Sequence, residues 1–152
     1  SKATVITLFL LPDINIRLRP KILDMKPGTR VVSNSFTMGE WKADQTVTAE
    51  KDCTTYCTAY LWIVPAKVEG NWQFDNGEVS FTQSFQQVTG SVKAGGKASP
   101  VNGKLTGDQI SFTAGGAQYT GKVSGNTIQG TVKSGSNTSP WRATRVASGA
   151  KS

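Results

Sequence analysis

The first third of the chain alternates between strand-like and helix-like spacing of its hydrophobic residues. Residues 3–11 form a continuous apolar, β-branched run that ends at Pro12, which is typical of a strand buried on both faces in a parallel sheet. Four apolar residues then recur at helical spacing: Ile14, Leu18, Ile22 and Met25. Residues 29–34 are strand-like again. This pattern predicts a strand–helix–strand unit, whose two parallel strands require a right-handed crossover.

The predicted helix has a start signal, an interruption and a stop signal. Asp13 is a residue type that caps helices, and Pro27-Gly28 ends them. Pro20 predicts a kink or a restart of the helix. A further strand is predicted over residues 60–64. Two or three buried strands and one helix cannot cover both faces of a parallel sheet, so we expect this segment to need additional structure.

The remainder of the chain, residues 66–146, alternates hydrophobic and polar positions with a period of two. Gly103–Ile110 recurs with changes as Gly121–Ile128, and each copy carries a Gly-Asp or Gly-Asn pair suited to a type II′ hairpin. Seven or eight such strands predict an antiparallel β-barrel-like domain. The residues expected to be buried in it include Ile110, Phe112, Val123, Ile128 and Trp141.

Charge and glycine content change between the two segments. Residues 1–88 hold nine basic and nine acidic side chains, whereas residues 89–152 hold eight basic residues, twelve of the sixteen glycines and the single acid Asp108. We therefore divide the chain into residues 1–65, residues 66–146 and a flexible tail, residues 147–152. The lysines of the second segment are spaced singly and have no aromatic stacking platform, which argues against nucleic acid as a partner.

The residue types that are missing exclude several chemistries. The chain has no histidine, so Ser-His-Asp triads, Cys-His dyads and histidine zinc sites are ruled out. Cys53 and Cys57 are the two cysteines, too few for a structural zinc site, and we predict no metal. Their spacing leaves a local disulfide and a pair of free thiols open. No apolar run reaches the length of a bilayer span.

Four short motifs follow one another within the first 42 residues: residues 3–13, Leu18-Arg-Pro-Lys21, residues 26–33 and Met38-Gly-Glu-Trp-Lys42. In this order they resemble the C-terminal half of a bacterial class I S-adenosylmethionine-dependent methyltransferase, in a group related to protein-lysine methyltransferases. The resemblance implies a Rossmann-like α/β fragment in which residues 3–11 are strand four, residues 29–34 strand five and residues 60–64 a later edge strand. It also implies a β accessory domain after this fragment.

The same resemblance implies S-adenosylmethionine as the cofactor of the full-length protein and no cofactor bound by this chain alone. The glycine-rich loop and the acidic residue that hold the cofactor follow earlier strands of the fold. No G-x-G-x-x-G motif opens a helix in this chain. We therefore expect a truncated transferase domain that is inactive alone, and the sequence leaves open how the truncation arose.

The methyl-transfer pocket of the resembling group lies at the end of strand four, which maps to Phe9, Leu10, Leu11 and Pro12. An apolar floor suits a lysine acceptor, because methyl transfer needs the neutral amine; the alternative is that these residues are core. Glu40 and Trp41 are further pocket candidates on the turn after strand five. The alternative there is a surface turn with Trp41 as a packing anchor. No catalytic residue is assigned.

Two functions compete at this point. The first is the C-terminal portion of a methyltransferase, contributing the acceptor-side wall and the accessory domain. The second is a β-barrel binding module for a polar polymer, a peptide or nucleic acid. The expected partner is the missing N-terminal half or a second copy in a homodimer, with a protein as substrate. The cytoplasm is the default compartment, with export as the alternative.

Overall fold

A computed structural model of the protein describes residues 2–146, which form two compact units. Unit 1 runs to Pro65, and unit 2 starts at Ala66. The tail predicted to be flexible, residues 147–152, lies outside the described residues. Among the described residues, no helix is both long enough and apolar enough to cross a membrane.

Unit 1 is a four-stranded sheet with one helix. Its elements are β1 (Val5–Leu8), α1 (Pro12–Leu23), β2 (Arg30–Asn34), β3 (Gln45–Thr48) and β4 (Thr58–Ile63). The strand order is β1-β2-β4-β3, with β1 parallel to β2 and the other neighbours antiparallel. α1 connects the two parallel strands, and the assignment of this unit to a Rossmann-like fold stays a prediction. β3 was not predicted, since its Gln-Thr-Val-Thr sequence has no buried face.

The first strand differs from its prediction. β1 spans four residues, which are exposed and half-buried in alternation, and Val5 is 46% exposed. The expectation of a nine-residue strand buried on both faces is therefore wrong for the described residues. β1 lies at the end of the sheet order, and β2 is its strand partner within residues 2–146. The segment is rich in apolar residues, but within the described part of the chain the side chains of β1 stay exposed or half-buried.

The helix also differs from its prediction at both ends. It begins at Pro12 after Leu11, which makes no side-chain cap, so Asp13 lies in the first turn and not at the cap. It ends at Leu23, before the predicted Pro27-Gly28 stop, and Pro20 lies inside it. Ile22 is buried as expected, whereas Ile14 is exposed. The apolar face predicted for this helix is therefore only partly used within the described residues.

Unit 2 is a closed antiparallel barrel of eight strands, which confirms the predicted barrel. Its strands are β5 (Gly70–Phe74), β6 (Gly77–Ser84), β7 (Gln87–Ala94), β8 (Lys97–Thr106), β9 (Gln109–Ala114), β10 (Ala117–Ser124), β11 (Thr127–Ser134) and β12 (Asn137–Arg145). Each strand pairs with the next, and β12 returns to β5. The Gly107-Asp108 and Gly125-Asn126 hairpins occur as predicted, with positive φ at each glycine.

The barrel interior is filled by alternate side chains from all eight strands. Its fully buried members include Trp72, Val79, Val88, Leu105, Ile110 and Ile128. Phe81, Phe112, Tyr119 and Trp141 form a cluster of rings with centroids 4.7 to 5.7 Å apart. Trp141, predicted to be buried, is half-buried because it lies at the margin of this cluster. The interior is a packed core.

A short segment, residues 66–69, closes one end of the barrel. The Gln83 amide bridges it, accepting from the Val68 amide at 2.8 Å and donating to the Ala66 carbonyl at 2.9 Å. Arg145 donates to the carbonyls of Lys67 and Glu69, both at 2.6 Å, and lies 4.4 Å from the ring centre of Trp72. Burial lowers the pKa of Arg145 below its usual value. Arg145 thus links β12, the last strand, to the segment that precedes β5, the first strand of the barrel.

We expect Arg145→Ala to lower the free energy of unfolding of unit 2 by about 2 kcal/mol, because two carbonyls lose a charged donor and Trp72 loses its cation contact. Arg145→Lys should recover little of this loss, since one ammonium group cannot reproduce the two-pronged geometry. Denaturant titration gives the values. The matched control is Arg142→Ala on the same strand, where an exposed side chain should contribute less than about 0.5 kcal/mol.

Candidate functional site

Three connecting segments meet at one edge of the unit 1 sheet. β1 and β2 are parallel, so both end at this edge. β3 ends there as well, because β2 and β3 are both antiparallel to β4. The Ser35 amide donates to the Thr58 carbonyl at 2.7 Å, which joins the end of β2 to the end of the β3–β4 loop. Ligands of open α/β sheets bind outside the carboxyl ends of strands, so we define the site edge as residues 9–12, 34–36 and 49–57.

Three aromatic rings pack together at the site edge. The Phe9 ring centre lies 5.8 Å from that of Phe36 and 5.1 Å from that of Tyr56, and Phe36 and Tyr56 are 6.1 Å apart. Phe9 is 58% exposed and Tyr56 is 55% exposed. We call these three residues the aromatic cluster. Exposed rings gathered in this way are typical of a surface that receives a ligand or a partner.

A disulfide closes the loop that carries Tyr56. Cys53 and Cys57 are bonded, with their Cα atoms 5.8 Å apart, which settles the alternatives that the sequence left open. Tyr56 has a φ of 57°, and Asp52 has a φ of 58°, a left-handed conformation that is uncommon for residues other than glycine. The Ala49 amide donates to the Cys57 carbonyl at 2.8 Å. The loop therefore presents the Tyr56 ring on a short, cross-linked turn.

The segment after β2 is fixed through its backbone carbonyls. Ser33 Oγ donates to the Phe36 carbonyl at 2.7 Å, Asn15 Nδ2 to the Thr37 carbonyl at 3.2 Å, and Arg19 Nη1 to the Met38 carbonyl at 3.0 Å. Ser33 and Asn15 are buried. Two donors come from α1 and one from β2, so helix and sheet together position Phe36.

The predicted pocket residues other than Trp41 lie at or near the surface of unit 1. Phe9 belongs to the aromatic cluster, Leu10 is half-buried beside it, and Leu11 and Pro12 are exposed. Glu40 is exposed on the turn after β2.

Trp41 does not line the site edge. It is fully buried, 6.2 Å from the Trp62 ring centre, and its carbonyl accepts from Trp62 Nε1 at 2.8 Å. A side chain in that position packs the sheet and cannot contact an acceptor, so the packing interpretation of Trp41 is the one that the structure supports.

Two members of the aromatic cluster were missed in the sequence. Phe36 follows a strand by two residues, and Tyr56 lies between the two cysteines. An aromatic residue directly after a strand end and another within a cysteine-bounded loop were the available signals. These two signals could not be connected from the sequence, because β3, the strand that brings the disulfide loop to this edge, was not predicted.

The strand-to-helix connection of unit 1 lacks the glycines of a typical cradle for S-adenosylmethionine. Such a cradle needs a glycine-rich turn from a strand into a helix, so that the backbone can approach the ligand. Among residues 2–65, the connection from β1 into α1 is Phe9–Leu11, which contains no glycine. Residues 2–146 also contain no group of three or more His, Cys, Asp or Glu side chains that could hold a metal ion.

Comparison with known proteins shows that part of the chain is similar to methyltransferases. No family model matches the chain. Over 65 residues the chain is 42% identical to a protein-lysine N-methyltransferase of Saccharolobus islandicus (strain REY15A), a stretch that covers 42% of this chain and 40% of that protein. The solved structure of an RNA methyltransferase from Salinibacter ruber in complex with S-adenosyl-L-homocysteine is 46% identical, covers 45% of this chain and 42% of that chain, and superimposes with a TM-score of 0.39.

The chain thus spans about two fifths of the length of each methyltransferase that it matches. Over that part it is methyltransferase-like in sequence.

Proposed function

We propose that unit 1 is the acceptor-side portion of a class I S-adenosylmethionine-dependent methyltransferase domain. The observation that supports this most strongly is the exposed aromatic cluster of unit 1 at the carboxyl ends of its two parallel strands, in a chain that is 42% identical to a methyltransferase over 65 residues. In this proposal β1 is strand four, β2 is strand five and β4 is a later strand, which lies between β2 and β3 and not at the predicted edge of the sheet. The cofactor-binding elements are supplied from outside unit 1, since its own turns do not fit the cofactor.

The aromatic cluster forms the surface that faces the methyl acceptor in this proposal. When bound, S-adenosylmethionine supplies an electrophilic methyl group. The rings of Phe9, Phe36 and Tyr56 exclude water from one side of an acceptor, and an apolar surrounding favours the neutral form of an amine over its charged form. A neutral lysine amine has the free electron pair that accepts a methyl group. We therefore propose a protein lysine as the acceptor class.

Methyl transfer by the full-length protein to polylysine tests this proposal. We expect Phe9→Ala to lower kcat/KM about 30-fold, because the ring contacts both other members of the cluster, equivalent to about 2 kcal/mol of acceptor orientation. Val47→Ala is the matched control, since Val47 is 67% exposed on β3 and lies outside the site edge. Equal activity of the Phe9→Ala variant and the native protein would contradict the acceptor wall.

A second proposal concerns what covers β1. In the full-length protein we propose that the N-terminal half of the domain pairs with its outer edge. For the 152-residue chain by itself we propose a homodimer in which the outer edge of β1 pairs with β1 of a second copy, since the open edge of an apolar strand recruits another strand.

Sedimentation velocity on the 152-residue chain should give a dimer at about 20 µM, a concentration chosen for a micromolar association. Val5→Lys should convert it to a monomer, because a charge on an edge strand opposes pairing. Val47→Lys, on the opposite edge of the same sheet, should leave the dimer intact. A monomeric native chain, or a dimer lost with Val47→Lys and kept with Val5→Lys, would show that β1 is not the interface.

A further inference from the structure

The Cys53–Cys57 disulfide lies next to the aromatic cluster and is reached by solvent. Both cysteines are half-buried, and residues 54–56 between them are exposed. Tyr56 directly precedes Cys57 and carries one of the three rings of the cluster. Thiol–disulfide exchange requires that a thiolate reach one of the two sulfur atoms. The bond is therefore accessible to a reductant while unit 1 stays folded.

The disulfide is the main restraint on residues 50–56. Within residues 2–146, this segment makes no backbone–backbone hydrogen bond. Such bonds resume at its flanks, where the Ala49 amide donates to the Cys57 carbonyl at 2.8 Å. Tyr56 is 55% exposed, so its contacts with Phe9 and Phe36 cover less than half of its surface. The position of the Tyr56 ring therefore depends on the cross-link more than on its packing.

The cross-link also maintains an uncommon backbone conformation on both sides of Cys53 and Cys57. Asp52 and Tyr56 have φ values of 58° and 57°, a left-handed conformation that is costly for residues other than glycine. Without the sulfur–sulfur bond, the loop gains access to many other conformations. A change in φ at Tyr56 redirects its Cβ, and with it the ring, away from Phe9.

We propose that reduction of the Cys53–Cys57 disulfide releases Tyr56 from the aromatic cluster and thereby lowers methyl transfer. This inference rests on the proposed function of the cluster as the acceptor wall. The reductant is a dithiol, whose thiolate attacks one sulfur, breaks the sulfur–sulfur bond and forms a mixed disulfide. Its second thiol then displaces the protein sulfur. Cys53 and Cys57 gain two electrons and two protons, and the reductant leaves as its own disulfide.

Nuclear magnetic resonance on the 152-residue chain tests the structural step without an assay of activity. Nuclear Overhauser effects between the rings of Tyr56 and Phe9, whose centres are 5.1 Å apart, should be present in the oxidised chain and lost after treatment with dithiothreitol. The chain contains two cysteines, so dithiothreitol reduces this bond alone. Exchange of the Ala49 amide proton should become about tenfold faster, because its acceptor on Cys57 is no longer fixed. The variant C53S/C57S should show the reduced pattern with and without dithiothreitol.

Methyl transfer to polylysine by the full-length protein tests the functional step. We expect dithiothreitol to lower kcat/KM of the native protein about tenfold. The variants C53S/C57S and Tyr56→Ala should already have the lower value, and dithiothreitol should change it by less than about 1.5-fold, because the effect of the disulfide acts through Tyr56. Val47→Ala, which lies outside the site edge, should respond to dithiothreitol as the native protein does.

Three results would overturn the inference. They are ring contacts that survive reduction, a native full-length protein equally active with and without dithiothreitol, and a tenfold loss on reduction that persists in Tyr56→Ala. Inactivity of the full-length protein in both redox states would contradict the proposed function instead, and loss of the ring contacts on reduction would then still support the release of Tyr56. Circular dichroism verifies that the reduced chain and each variant retain their strands.

Discussion

Gly130→Ala should lower the free energy of unfolding of the barrel by about 3 kcal/mol, the upper range for overpacking a well-packed interior. A Cβ at residue 130 would overlap the backbone carbonyl oxygen of Thr120 on the neighbouring strand. The backbone there cannot yield easily, since Gly130 pairs with Gly121 on one side and with Trp141 on the other. Trp141 reaches across this glycine pair and donates from Nε1 to Thr120 at 3.2 Å.

The control for this substitution is the adjacent residue. Gln129→Ala changes an exposed side chain on the same strand and should alter the unfolding free energy by less than about 0.5 kcal/mol. Denaturant unfolding, together with hydrogen exchange in peptides from β10 to β12, reports on the barrel specifically. A loss below about 1 kcal/mol for Gly130→Ala would contradict the close strand approach.

Trp62→Ala should destabilise unit 1 by about 4 kcal/mol. Trp62 is fully buried on β4, with ring contacts to Trp41 at 6.2 Å and to Tyr60 at 5.7 Å. Its removal leaves a large cavity and also removes the donor to the Trp41 carbonyl. Hydrogen exchange in residues 30–34 and 58–63 measures the effect on this sheet.

Two further variants separate packing from hydrogen bonding at this position. Trp62→Phe keeps most of the volume and loses the Nε1 donor, so we expect a loss of about 1–2 kcal/mol. Tyr56→Ala removes a ring that is largely exposed, and should cost unit 1 less than about 1 kcal/mol. A larger effect from Tyr56→Ala than from Trp62→Ala would show that the sheet is not held by the buried tryptophans.

The barrel could be predicted in more detail than unit 1, for a physical reason. Its hairpins are local, so period-two alternation and the Gly107-Asp108 and Gly125-Asn126 pairs determine the pairing over a few residues. The attachment of residues 66–69 at the end of the barrel could not be predicted from the sequence. It involves hydrogen bonds from Arg145 to the carbonyls of Lys67 and Glu69, more than seventy residues earlier in the chain.

The candidate site was only half predictable. Phe9 was a candidate because the resemblance places the pocket at the end of strand four, but its contacts with Phe36 and Tyr56 depend on the sheet order β1-β2-β4-β3. The sequence left two alternatives open for Trp41, because an aromatic residue on a polar turn has the same local pattern whether it faces solvent or the core. Only Trp62, 21 residues later, shows which applies.

The central proposal is that unit 1 supplies the acceptor side of a methyltransferase and not the cofactor cradle. Isothermal titration of S-adenosylmethionine into the 152-residue chain, and separately into the full-length protein, tests it most directly. The proposal predicts no binding heat for the chain alone at 1 mM ligand, and a dissociation constant of about 10 µM for the full-length protein, well within the range that calorimetry resolves. Micromolar binding by the 152-residue chain alone, or no binding by the full-length protein, would contradict it.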